Sequence, residues 1–208
     1  MAFIKRSAAE PVTTDERKNQ RSYADLIAGL EDPSPTARRW AARDLANCQE
    51  ATAALVARLE LEQDVSVREV IFSTLVKMED PAAIEGLIEC LRSEDASLRN
   101  EAVDAMRQLP DVVAPIMGGL LHDPNPDTRI FAVNILESLR HPDVESWLIE
   151  VISGDPHVNV CATAVDLLSE VGTPAATEAL ESLKVRFPKE PYIQFSVDLA
   201  LRRVREGC

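Results

Sequence analysis

One short segment recurs five times along this 208-residue chain. It reads Asp32-Pro33-Ser34-Pro35-Thr36-Ala37-Arg38, then Glu62-Gln63-Asp64-Val65-Ser66-Val67-Arg68, then Ser93-Glu94-Asp95-Ala96-Ser97-Leu98-Arg99. The fourth and fifth copies are Asp123-Pro124-Asn125-Pro126-Asp127-Thr128-Arg129 and Asp155-Pro156-His157-Val158-Asn159-Val160-Cys161. Their seventh residues are spaced by 30, 31, 30 and 32 positions. A sixth, weaker copy stands at Glu190-Pro191-Tyr192-Ile193-Gln194. A fixed period of this size marks an array of one supersecondary unit, in which each unit buries its apolar face only against its neighbours.

Each copy reads as a loop followed by a helix start. Ser34, Asp64, Asp95 and Asn125 stand where an N-cap oxygen would accept the free N–H groups of the first turn. Pro35, Pro126 and Pro191 follow at the first helical position, where a missing N–H costs nothing. Apolar residues then recur at helical spacing, as in Ile71, Phe72 and Leu75 or Ala132, Val133 and Leu136. A second amphipathic stretch precedes each loop, such as Leu55, Val56 and Leu59 or Leu148, Ile149 and Ile152. Asp80-Pro81, Pro110-Asp111, His141-Pro142 and Thr173-Pro174 mark the turns between copies. The unit is therefore helix A, loop, helix B, turn. Composition agrees: aromatics are 4% and Gly only 7 of 208, too few for the strands and turns of a β-sandwich. The expected fold is all-α, an α-solenoid of about six helix pairs.

The pattern D-P-x-x-x-V/T/A-R, followed by an alanine and then a leucine, resembles HEAT repeats, and the short period resembles the variety named for phycobilisome lyases. The resemblance covers residues 23–204 and implies an alpha-alpha superhelix. Residues 1–22 stand apart as a tail, with Thr13-x-x-Glu16 a capping box for a short covering helix; residues 23–208 form the repeat domain. The family includes scaffolds, chromophore lyases, a di-iron hydroxylase and DNA glycosylases. The hydroxylase is marked by His-Glu dipeptides, and this chain has none.

Charge narrows the function. The formal net charge is -13, and residues 1–22 carry five basic and three acidic residues, so the repeat body is more acidic still. Such a body repels nucleic acid and anionic membrane, so neither is an expected partner. The first residues lack the apolar run of a signal peptide, and Cys48, Cys90, Cys161 and Cys208 are widely spaced thiols, which suits the cytoplasm.

Arg38, Arg68, Arg99 and Arg129 occupy one repeat position. They are either a row of anion sites or rungs bridging to loop acids such as Asp64, Asp95, Asp123 and Asp155. Acids recurring at matching positions favour rungs. Cys161 replaces the fifth arginine, as a lost rung or a reactive thiol, and no cation near it in sequence would activate a thiolate. His122 with Asp123 and His157 with Asp155 lie one repeat apart, and plain surface histidines are the simpler reading than a shared metal. Trp147, beside the helix A stripe, reads as core.

Helix B lines the concave face in arrays that resemble this one. Offsets of two, five and nine from the arginine position give Trp40, Arg43, Val70, Glu101, Asp104, Phe131, Asp166 and Glu170 as candidate partner-binding residues. Trp40, Val70 and Phe131 would grip an apolar anchor and the acids a basic flank. No phosphate loop, nucleophile elbow or paired catalytic carboxylate motif is present, so no catalytic, cofactor or metal residue is assigned. The reading is a non-catalytic protein-binding scaffold or adaptor. The alternative, implied by the resemblance alone, is a bilin lyase or lyase subunit, for which Trp40 with Arg39 and Arg43 is the nearest match.

Overall fold

The computed structural model describes residues 21–206. The Thr13–Glu16 box and Cys208 lie outside the described residues. Six helix pairs follow one another as an α-solenoid, with no strand among the described residues. They are α1 (Tyr23–Gly29) with α2 (Pro35–Asp44), α3 (Thr52–Leu61) with α4 (Val65–Met78), and α5 (Pro81–Leu91) with α6 (Ala96–Met106). The fourth helix A is broken into α7 (Pro110–Val113), a 3₁₀ turn through Pro115, and α8 (Met117–Leu121); its partner is α9 (Pro126–Leu136). Proline removes a donor and clashes with the preceding turn, which explains the break. The last pairs are α10 (Val144–Gly154) with α11 (Val158–Val171) and α12 (Thr177–Arg186) with α13 (Pro191–Glu206).

The second helices stack on one another, α2 on α4, α4 on α6, α6 on α9, α9 on α11 and α11 on α13. The first helices form the other layer, with α3 on α5 and α10 on α12. One continuous core runs between the layers, from Leu30, Leu45 and Leu55 through Ile71, Leu87 and Met117 to Leu168 and Val197. Close approach is enforced where α5 crosses α3: a Cβ on Gly86 would stand 2.3 Å from Val56 Cγ2.

The loops share a turn that the sequence pattern only half reveals. Its first residue points a side-chain oxygen at the backbone N–H two residues on. Asp32 accepts from Ser34 at 2.8 Å, Glu62 from Asp64 at 2.9 Å, Ser93 from Asp95 at 3.1 Å, Asp123 from Asn125 at 2.9 Å and Asp155 from His157 at 2.8 Å. The third residue then caps the helix in three loops. Asp64 accepts from Ser66 and Val67, Asp95 from Ser97 and Leu98, and Asn125 from Asp127. Ser34, expected as a cap, makes no side-chain cap bond, although its N–H is held by Asp32 as in the other loops.

Candidate functional site

Two surfaces hold the residues singled out in the sequence. The first is the row of loops. Arg38 forms a two-pronged pair with Glu62, at 2.7 and 2.8 Å, and donates to the Asp32 and Pro33 carbonyls of its own loop. Arg129 repeats this, pairing with Asp155 at 2.6 and 3.1 Å and donating to the Asp123 and Pro124 carbonyls. These arginines therefore tie each loop to the next through the loop's first acid. Asp64, expected as an arginine partner, is instead occupied with the α4 cap. Where Ser93 replaces that first acid, Arg68 reaches Asp95 at 2.8 Å and also lies 3.2 Å from Glu101. Arg99 has its own loop's Ser93 and Glu94 carbonyls, while Asp123 is taken by Arg92 at 2.7 Å.

Burial alone would push the Glu62 carboxyl up. Hydrogen bonds from Arg38, the Asp64 N–H and Arg58 outweigh it and bring Glu62 down to about 2. Asp123 is likewise held low against its burial, by Arg92 and the Asn125 N–H.

The fifth loop has no ladder arginine, yet it has a guanidinium. Arg186, on α12 of the following pair, donates to the Ser153 carbonyl, to the Asp155 carbonyl at 2.7 Å and to Cys161 Sγ at 3.0 Å. A cation far away in sequence thus touches the thiol. Burial nonetheless dominates and pushes Cys161 up to about 11, with Arg186 only partly opposing it. The thiol donates to the Asp155 carbonyl at 3.3 Å.

The second surface is the solvent side of the stacked second helices. The Trp40 ring is half-buried and carries the Arg43 guanidinium 4.0 Å above its centroid. Val70 and Phe131 are half-buried against the core, and Arg99 lies 5.6 Å over the Phe131 ring. Asp104, Asp166 and Glu170 are exposed. Glu101 is not in that set: it is half-buried, turned to Arg68, and burial raises its pKa. A groove of about 230 Å³ between α9 and α11 is lined by Asn134, Glu137, Thr163, Asp166 and Glu170.

Sequence reasoning missed the contribution of the sixth pair to this surface. With Pro191 as the first residue of α13, Gln194 takes the arginine position; Tyr192 and Phe195, two before and one after it, are exposed, and Leu199, five after it, is half-buried. Phe195 is 63% exposed and Tyr192 56%, and the Tyr192 hydroxyl donates to Asp166 at 2.7 Å. The signal was the sixth loop itself, Glu190-Pro191, which sets that register.

Trp147 is half-buried and stacks on His141, with centroids 5.1 Å apart. Nδ1 of His122 lies 2.8 Å from the Gly118 carbonyl, and Nε2 lies 3.3 Å from Glu150. Among the described residues, no three His, Cys, Asp or Glu side chains converge to hold a metal. Among them, too, no helix is long and apolar enough to cross a membrane.

A family model described as HEAT repeats matches residues 23–107 and 113–186. Comparison with curated proteins finds no match. Similar solved structures include the complex of CpcE and CpcF of phycocyanin lyase from Nostoc sp. PCC7120, at 19% identity and a TM-score of 0.37, covering 98% of this chain and 100% of that one. Human deoxyhypusine hydroxylase in complex with glycerol is 17% identical, with a TM-score of 0.46, covering 89% of this chain and 85% of that one. A designed armadillo repeat protein in complex with the peptide (KR)4 is 15% identical, with a TM-score of 0.41, covering 88% of this chain and 100% of that one.

Proposed function

The chain belongs to the HEAT-repeat family, and from that premise we propose that it is a non-catalytic scaffold or adaptor whose second-helix face binds a protein segment. The observation that carries this reading is the register of that face. Residues at fixed offsets recur on that face in successive pairs: Trp40 and Arg43, then Val70, Asp104, Phe131, and Asp166 with Glu170. An apolar residue of the segment would rest on Trp40, Val70 or Phe131, where aromatic rings give the largest contact energies. Lysine or arginine beside it would face Asp104, Asp166 and Glu170. Those acids are exposed, so they speed encounter and set orientation more than they add affinity.

Selection from a displayed peptide library tests the reading. Wild type should enrich peptides with a basic residue beside a large apolar one. The triple variant Asp104→Lys/Asp166→Lys/Glu170→Lys should lose that enrichment while keeping its helical circular dichroism. Selection of no peptides, or of peptides without basic bias, would sink it.

A further inference from the structure

The exposed face of α13 is unlike that of any other second helix. Along it run exposed Tyr192, Phe195 and Arg202, with half-buried Leu199 between the last two. Three and four residues separate them in turn, the spacing of a seam that meets another helix. At the first three of these register positions α4 has Ser66, Glu69 and Ser73, and α6 has Ser97, Asn100 and Asp104. Large apolar side chains at those positions are therefore not needed to build a pair. Phe195 points directly away from the core, opposite Ile193, Val197 and Ala200, which are fully buried.

The stripe is symmetric along the helix. Phe195 and Leu199 stand two residues either side of Val197, and Tyr192 and Arg202 stand five residues either side. A second α13 laid antiparallel across it would bring Phe195 of one copy against Leu199 of the other. It would also bring Tyr192 of each beneath Arg202 of the other. We propose that α13 is a self-association surface, through which two copies of this chain pair by an antiparallel contact of Tyr192, Phe195, Leu199 and Arg202.

Charge supports a second copy as the occupant. Residues 52–176 hold 22 acids and 8 basic residues, so contact between two copies there is repulsive. Residues 177–206 hold five acids and six basic residues. Lys189, Asp198 and Glu206 aside, acid lies at one end of the α13 seam and base at the other. Glu190 precedes the helix and Asp166 touches Tyr192 at one end, while Arg202, Arg203 and Arg205 cluster at the other. Antiparallel contact sets acid against base at both ends of the seam. A further repeat stacked on α13 is the rival occupant, but the side it would use is sealed by polar bonds. Gln194 donates to the Lys184 and Phe187 carbonyls, Lys184 pairs with Asp198 at 2.6 Å, and Arg205 pairs with Glu181 at 2.6 Å. Such polar closure is what a terminal repeat carries. The Tyr192 ring is held in place by Asp166, so little freedom is lost when it becomes an anchor.

Sedimentation equilibrium of the full chain in reducing buffer tests the contact, with the thiols kept out of disulfides. Wild type should pass from one chain to two as concentration rises from micromolar to hundreds of micromolar. Phe195→Glu and Leu199→Lys should each raise the dissociation constant about 30-fold, because the symmetric contact loses that side chain once from each copy. Arg202→Glu, fully outside the core, should weaken it less. The decisive sample is an equal mixture of Phe195→Glu with Leu199→Lys. The antiparallel register sets those two substituted positions against each other and leaves one native Phe195–Leu199 contact, so the mixture should dimerise more tightly than either variant alone. Val185→Glu, on an exposed α12 residue outside the seam, should change nothing. A wild type that stays one chain at the highest concentration overturns the proposal. So does a mixture no tighter than its components, or a Val185→Glu effect as large as that of Phe195→Glu.

Discussion

The fourth and fifth loops solve one problem by different routes. In the fourth, Arg129 from the loop's own helix donates to the Asp123 and Pro124 carbonyls and pairs with Asp155. In the fifth, the helix offers only Cys161, and Arg186 of the next pair donates to the Ser153 and Asp155 carbonyls. In both, the carbonyl of the loop's first acid, Asp123 in one and Asp155 in the other, receives a guanidinium. The requirement belongs to the loop, whose carbonyls need a donor when packing shields them from water. Which residue number supplies it is secondary.

The comparison breaks most visibly at Arg129. Arg129 and Asp155 are both about nine-tenths buried, and Asp155 has no other guanidinium on its carboxylate. Arg129→Ala therefore leaves a buried carboxylate facing nothing but the His157 N–H, and stability should fall by about 3 kcal/mol. The urea midpoint of unfolding measures it. A change within error would mean that the pair is not what holds these loops together.

The first rung can be read by pH. Glu62 has a folded pKa near 2, below the ordinary glutamate value. The unfolded chain takes up its proton first as pH falls, so this contribution is complete above about pH 4.5 and lost between there and about pH 2. A downward shift of that size corresponds to about 3 kcal/mol. Glu62→Gln should flatten the fall of stability over that window while lowering stability at neutral pH. Glu101 runs the other way: its pKa is raised by burial, so its protonation as pH falls is favoured in the folded chain. Arg38→Ala should cost less than Arg129→Ala, about 2 kcal/mol, because Arg58 keeps its 3.0 Å contact with Glu62.

These differences show what the sequence could and could not convey. The repeat period, the helix pairs and the proline starts of α2, α9 and α13 are local matters of spacing and backbone chemistry, and they were legible. The partner of each arginine was not. Asp64 and Glu62 both sit in the second loop, and only the turn geometry decides that Asp64 caps α4 while Glu62 meets Arg38. Arg186 lies 25 residues beyond Cys161, so no local rule connects them. Tyr192 and Phe195 escaped for another reason. They stand two before and one after the arginine position, outside the offsets of two, five and nine from which the candidate face was built.

Arg186 gives a sharper test than simple loss. It is exposed, and its bonds are to two carbonyls and a thiol, so Arg186→Ala should cost only about 1 kcal/mol. Cys161→Arg, which restores the ladder residue, should destabilise the wild type, because two guanidinium groups would then compete for the Asp155 carbonyl. In the Arg186→Ala background the same change should be milder or favourable. A thermodynamic cycle over the four proteins measures this coupling. Additive effects would show that Arg186 does not substitute for the missing arginine. The Cys161 thiol, pushed up to about 11, should alkylate slowly with iodoacetamide at pH 8, compared with half-buried Cys48 by mass spectrometry.

Arg99 should show the smallest effect, and it decides what the row of arginines is for. It shares its register position with Arg129 and donates to the same kind of loop carbonyls, Ser93 at 2.7 Å and Glu94 at 3.0 Å. It lacks the carboxylate, since Arg92 holds Asp123. Its remaining contact is a loose one over the Phe131 ring, 5.6 Å to the centroid. The Glu94 carbonyl is exposed and the Ser93 carbonyl only part-buried, so both can turn to water when the donor is removed, and a cation 5.6 Å from a ring contributes little at the surface. Arg99→Ala should thus cost about 0.5–1 kcal/mol by urea unfolding, well below Arg129→Ala. If the two costs are equal, the carbonyls carry the stabilisation and the carboxylate pairs are incidental. If Arg99→Ala is the milder, as expected, the interlocking of one loop with the next rests on Glu62 and Asp155.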